Sequence, residues 1–308
     1  MALIELHPEV DDYIVHLSLP EIIERGGVED LVEDGMLVII KDFRLDADFK
    51  LLQELSKSTE AIEDSKVRRH LKKLEAPTFF QSRRSRLPWR RRQFSDPIQE
   101  ALLETLCQGD VRLYERAART LRDAHEQALR VFEACFGRYE AFRFVPSVRL
   151  TRTFFENLHW DDHSIDDDFH TARVFANLDV RPRIWHVSHR FPDMMRLLYR
   201  EHDLGRFAGR DPNELVHYIN SQVLGGQSQK WRDCLPRHRI AFEPGEVWVG
   251  ESRLISHQIY YGEAALVYMW FVHVGSMVNP QNRFNTRVED IHREMGSRAA
   301  EPARKAQL

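Results

Sequence analysis

The sequence predicts an α+β protein, a double-stranded β-helix (jelly roll) core with a helical N-terminal region packed on it. Two features carry that expectation. Up to about residue 140 the apolar residues recur mostly at helical spacing. From Ala141 onward they fall into short strand-like runs separated by turn residues. No segment repeats another, and none is of low complexity.

With 308 residues the chain can bury a sizeable core and form one or two domains. Hydrophobic residues make up 43% and charged ones 30%, which argues against wholesale disorder. A formal charge of −4 gives no general pull toward nucleic acid, so no such partner is expected. Cys107, Cys135 and Cys234 are scattered without Cys-x-x-Cys spacing. Neither a disulfide framework nor a zinc knuckle is expected, and a reducing compartment is. The first residues lack the pattern of a secretion signal, and the longest apolar run, Ala264–Val272, is too short to span a bilayer. The expected location is the cytoplasm, with the inner face of the membrane as a further option.

In chain order, residues 1–19 read as an ordered lead-in. Leu19–Arg25 starts a helix, with Pro20 where its missing N–H costs nothing. Asp34-Gly35 marks a turn and Met36–Ile40 a strand. Leu45–Lys57 is helical, with Phe49, Leu51, Leu52 and Leu55 apolar. Basic side chains then crowd residues 66–92, among them Lys72, Lys73, Arg83, Arg84, Arg90, Arg91 and Arg92, interleaved with Phe79, Phe80 and Trp89. This segment is either a solvated loop or a surface for an anionic partner, acidic lipid headgroups included, which would give peripheral membrane contact. Ile98–Phe136 keeps helical spacing as far as Gly137. Strands are expected near 142–155, 171–178, 183–187, 237–243, 246–250 and 264–274, and helices near 190–203 and 211–222. Residues 1–140 form the helical front, 141–285 the jelly roll of the same unit, and 286–308 a C-terminal tail, polar and frayed from Ser297 onward.

The strand-like run Val148–Phe155 leads into Leu158-His159-Trp160-Asp161. Side chains alternate along a strand, so His159 and Asp161 point one way and Trp160 the other. Two ligands on one strand end plus a distant His make the 2-His-1-carboxylate set, which leaves positions open on Fe(II) for co-substrate and oxygen. His257, shortly before the strand at Ala264, is the distant candidate. His-x-Asp also arises by chance in surface turns; the flanking strands and the second His are what point to a metal. No Ser-His-Asp order and no Gly-rich phosphate loop stands out.

This order of ligands resembles the iron- and 2-oxoglutarate-dependent oxygenases. The resemblance implies Fe(II) and 2-oxoglutarate as cofactors and O2 as partner. It also implies hydroxylation of an unactivated C–H bond coupled to decarboxylation of the keto acid to succinate. Many members hold the far carboxylate with a cation past the distal His, where this chain has Leu266-Val267-Tyr268. Arg173, in an otherwise apolar strand, is the alternative: a charge there is costly unless paired, so it is expected to clamp the carboxylate, with Asn177 beside it at i+4. A structural ion pair is the other reading of Arg173. Arg149, Trp160 and Arg183 are the expected substrate-facing residues.

The blocks Arg173–Leu178, Arg181–Val187, Trp231 and Phe242–Val249 are similar to the Kdo hydroxylase family across residues 140–285. That similarity implies a jelly roll with His159, Asp161 and His257 on iron, Arg173 on the arginine strand, and an acidic sugar on a lipid-linked acceptor as substrate. An acidic run, Asp162–Asp168, follows the ligand pair. It suits a small or cationic metabolite better, so the same iron chemistry on a natural-product or amino-acid-like substrate stands beside the sugar. A non-enzymatic jelly roll binding an acidic glycan through residues 66–92 is the reading from another class.

Overall fold

The computed structural model describes residues 1–63, 74–80, 97–162, 169–225 and 234–305. Most of the basic segment 66–92 lies outside the described residues, as do His163, Asp166–Asp168 and Trp231. The elements begin with β1 (Leu3–Glu5), β2 (Ile14–Ser18), α1 (Leu19–Arg25), α2 (Glu29–Glu33), β3 (Leu37–Arg44), α3 (Phe49–Glu60), β4 (Leu74–Glu75), α4 (Ala76–Phe80), α5 (Pro97–Thr105) and α6 (Val111–Cys135). They continue with β5 (Ala141–Phe154), β6 (Phe169–Asn177), β7 (Arg183–Val187), α7 (Phe191–Leu198), α8 (Pro212–Tyr218), β8 (His238–Phe242), β9 (Glu246–Gly250), β10 (Gln258–His273) and α9 (Phe284–Lys305).

Two long strands make the roll. β5 and β10 pair antiparallel from Phe154 with Tyr261 to Ala141 with Val272. On its other edge β10 changes partner: Gln258–Tyr261 pairs with β7 and Ala265–His273 with β6. A register shift between Gly262 and Ala264 bends the strand at the change. One wall continues from β10 through β6, β9, β3 and β2, the other through β7, β8 and β1. The sheet thus curls into the expected double-stranded β-helix.

Every residue of β6 is buried, because alternate side chains serve different cores. Ala172, Val174 and Ala176 face the helices. Phe175 faces the interior of the roll, against Trp185 and Trp248. The helical side is dominated by α6, which buries Tyr114, Ala117, Leu121, Ala124, Ala128, Val131 and Cys135 along one stripe. Its start is capped by Asp110, whose carboxylate accepts from the N–H groups of Arg112 and Leu113. Ile98–Phe136 was expected to be helical, and the structure divides it between Thr105 and Val111. Gln108 and Gly109 there both take positive φ, 52° and 75°. Leu106 and Leu113 stay in phase for an unbroken helix, so periodicity alone conceals the break.

A second apolar cluster joins Leu158 and Trp160 to α7, α8 and α9. The expected tail is instead helical through Lys305, and its first turns are core: Phe284, Val288, Ile291 and Met295 lie on one stripe. Charged residues between them thin the apolar pattern, so the helix does not stand out in the sequence.

Leu121 is fully buried between α6 and the sheet, whereas Glu126 is on the exposed face. Leu121→Ala is expected to lower the unfolding free energy by roughly 2–5 kcal/mol in urea titrations. Glu126→Ala is expected to change it by no more than about 0.5 kcal/mol.

Candidate metal centre

Beyond the end of β5 the chain bends at Phe155, whose φ is 47°, and then docks on the loop between β9 and β10. The N–H of His159 donates to the carbonyl of His257 (3.1 Å), and the N–H of His257 donates back to that of His159 (2.9 Å). The N–H of Asp161 donates to the Ser252 carbonyl at 3.0 Å. Glu251 orders this loop: its carboxylate accepts from Thr171 N (2.7 Å), Thr171 Oγ1 (2.6 Å) and Arg253 N (2.9 Å). In this extended segment Leu158 and Trp160 go to the second core, and His159 and Asp161 turn to His257. One ligand atom from each of the three lies within 4.8 Å of the others.

The donor set suits a divalent iron. Nδ1 of His159 lies 2.7 Å from the Asn157 carbonyl, and Nδ1 of His257 lies 3.3 Å from that of Ile255. A carbonyl only accepts, so each Nδ1 carries a hydrogen, which leaves each Nε2 as the ring atom available to a metal. Nε2 of His159 faces Asp161 Oδ1 at 3.8 Å. Burial, with His159 beside it, pushes His257 down to about 3, so its imidazole is neutral near neutral pH. Burial alone would raise the Asp161 carboxyl; Arg173, His257 and His159 outweigh it and hold the group well below the usual carboxylate range. Two imidazoles and one ionised carboxylate on a shared side are a 2-His-1-carboxylate donor set.

The other expected site residues are spread more widely. Arg173 is 7% exposed, and its Nη2 sits 2.6 Å from Asp161 Oδ2. The Asn177 amide is committed to the turn after β6: Nδ2 donates to the carbonyls of Arg181 (2.8 Å) and Phe242 (2.9 Å), and Oδ1 accepts from Asp179 N (3.0 Å). Trp160 is fully buried in the second core, its ring edge-on to Phe191, so it does not line a pocket beside the ligands. Strand alternation, which aims the ligands, sends it the other way.

Arg183 and Arg149 are brought together inside the roll. Arg183 lies opposite Phe242, and Arg149 opposite Ala265, both on the interior face. Arg183 is 2% exposed and rests against Gly262, where a Cβ would come within 2.2 Å of its Nη1. Burial and the neighbouring Arg149 push its guanidinium down to about 9. Among the described residues neither arginine has a carboxylate at ion-pair distance; Glu156 and Asp179 act on Arg183 only from farther off. Trp185, two residues along β7, stacks on the His257 ring at 5.4 Å, which places the arginine pair one layer from the ligands. Sequence reading missed the roles of Ser252, Glu251 and Asn220, since polar residues in loops and helices carry no spacing signal.

A groove of about 500 Å³ adjoins the ligand segment at Asp162 and is lined by Phe207, Arg210, Asp211, Glu214, His217 and Tyr218. Its carboxylates, Asp162, Asp211 and Glu214, outnumber its one arginine.

No family model matches this sequence, and no curated protein does. Solved structures do resemble it. The Kdo hydroxylase KdoO, a non-heme Fe(II) alphaketoglutarate dependent dioxygenase, in complex with cobalt(II) superposes with a TM-score of 0.60 at 14% identity, over 91% of this chain and 95% of that one. Its complex with alphaketoglutarate and Fe(III) gives 0.58 at 12% identity over 90% and 95%, and its apo structure 0.59 at 14% over the same shares. The likeness is one of fold.

A buried guanidinium without a counter-ion is a standing cost. Replacing it with an apolar side chain of similar length, Arg183→Met, is expected to stabilise the ligand-free protein by about 1 kcal/mol or more. Urea unfolding of the two proteins without added ligand checks this.

Proposed function

We propose that the protein is an Fe(II)- and 2-oxoglutarate-dependent oxygenase that hydroxylates an unactivated C–H bond. The observation that carries this is the convergence of His159, Asp161 and His257, each with a metal-binding atom turned to the others. The overall reaction would convert R–H, O2 and 2-oxoglutarate into R–OH, succinate and carbon dioxide, the iron supplying the oxygen-activation chemistry when bound.

The chain's own residues supply placement. His159, Asp161 and His257 would hold the ion from one side and leave the other side open. Arg173 keeps Asp161 ionised and fixes its outer oxygen, so that Oδ1 is the one turned to His159. The far carboxylate of the keto acid needs a cation, and Arg183 with Arg149 offers two that have no carboxylate at ion-pair distance among the described residues. This moves the clamp from Arg173 to the interior pair. The aromatic lining of Phe175, Trp185 and Trp248 excludes water around it.

For the substrate, the Kdo hydroxylase among the fold neighbours favours an acidic sugar of the Kdo type, and the family resemblance adds a lipid-linked acceptor. The acidic groove at Asp162 favours a neutral or cationic small metabolite, natural-product or amino-acid-like. Peripheral membrane contact through residues 66–92 belongs with the first of these; no helix among the described residues is long and apolar enough to cross a membrane.

Anaerobic addition of 2-oxoglutarate to the Fe(II)-loaded protein is expected to give a visible metal-to-ligand band. His159→Ala, Asp161→Ala and His257→Ala are expected to abolish both the band and substrate-stimulated succinate formation while leaving the far-UV spectrum of a folded protein. Folded variants that all retain wild-type succinate formation sink the proposal. Arg183→Met is expected to weaken 2-oxoglutarate binding by roughly 10- to 100-fold, the loss of a charge-assisted hydrogen bond, with Fe(II) uptake intact. A protein that takes up no metal yet binds an acidic glycan is the non-enzymatic module instead. Kdo–lipid A and a panel of small amino-acid-like and cationic metabolites, compared as substrates, separate the two substrate classes.

A further inference from the structure

We infer that Asn220 is a positioning residue of this metal centre, its carboxamide standing in for a missing strand beside the His-x-Asp segment. The inference rests on the metal-centre reading above. In an extended segment successive residues turn their backbone groups to opposite edges. His159 and Asp161 use one edge, bonded to His257 and Ser252. Trp160, between them, uses the other, where no strand lies among the described residues. There its N–H donates to Asn220 Oδ1 at 3.2 Å, and its carbonyl accepts from Asn220 Nδ2 at 2.7 Å. One amide side chain therefore satisfies both backbone groups of the residue that separates the two ligands.

The local fold of this region aims Asn220 at that place. After α8 the chain widens into a π-helical turn over Ile219–Val223, closed by the N–H of Leu224 donating to the Ile219 carbonyl at 2.9 Å. Such turns are rare and recur at functional sites. Here Ile219 and Val223 are both fully buried in the second core, and Asn220 faces the ligand segment. The Trp160 indole is buried in that same core. The peptide between the ligands is thus held by its side chain on the core and by its backbone on Asn220. Rotation of that peptide would swing His159 and Asp161 apart relative to His257. The next residue, Asp162, also meets this helical segment, with Oδ2 3.4 Å from His217 Nδ1.

Cobalt(II) alone is the probe, titrated into the full chain and followed by its visible d–d spectrum, with thermal unfolding of the metal-free protein in parallel. Asn220→Ala is expected to weaken cobalt affinity by about 10-fold or more, in the range for residues that orient metal ligands, and to alter the band shape. Asn220→Asp keeps the size and the acceptor for the Trp160 N–H but sets an oxygen against the Trp160 carbonyl; it is expected to show the same losses and decides the matter if the alanine variant does not fold. Ser221→Ala, one residue along the same turn, is expected to bind cobalt as wild type does. A folded Asn220 variant with wild-type affinity and spectrum overturns the role of Asn220 alone. So does a lowered metal-free Tm with an unchanged cobalt spectrum and affinity, which is what a purely structural role gives. A wild-type protein that takes up no cobalt overturns the metal-centre reading itself.

Discussion

The two backbone hydrogen bonds exchanged by His159 and His257 are the constraint on which the site depends. They extend the β5·β10 pairing past the end of one strand and before the start of the other. Distant parts of the chain are brought to van der Waals range by strand register, not by loops that happen to meet. Register is guarded by burial. A slip of one residue would turn Leu158 and Trp160 toward the cluster and His159 and Asp161 into the second apolar core. The cost of burying that carboxylate there, and of exposing that indole, favours the observed pairing strongly.

Charge is arranged around this frame with little redundancy. Glu251 is spent on Thr171 and Arg253, and Glu263 is taken by Arg152 and Arg181. Asp161 is matched by Arg173. That leaves Arg149 and Arg183 inside the roll without a matching carboxylate among the described residues. Such a pair is poor design for stability alone and suits a site that receives an anion. The buried aromatic layer of Trp185, Trp248 and Phe175 lines the same interior and carries the His257 ring on a face of Trp185.

The outline of the fold was legible in the chain because it rests on periodicity. Period-two runs gave most of the strands, and the stripe on α6 gave the helix that backs them. What stayed hidden did so for local reasons. The break at Gln108-Gly109 falls between apolar residues that remain in phase. The stripe of α9 is thin and set among charges. The start of β10 at Gln258 is masked by polar and aromatic residues that precede the continuous apolar run.

At the site, the sequence by itself determined the pair: His159 and Asp161 on one side of an extended segment and Trp160 on the other, since alternation is a property of the backbone. It also supplied the chemistry of the candidates, His257, Arg173, Arg149 and Arg183, as residue types. Which of them meet was decided only by the tertiary structure. Arg173 reaches Asp161 because β6 lies beside β9, whose following loop docks the ligand segment. Arg149 and Arg183 meet because β5 and β7 flank the same strand, with a glycine at position 262 where any larger side chain would block the guanidinium. Asn220 reaches Trp160 through a helical turn of the wrong pitch, and no spacing rule reports such a turn. Proximity across a fold depends on which strands pair and how far each bends, and a linear pattern of side chains does not carry that information.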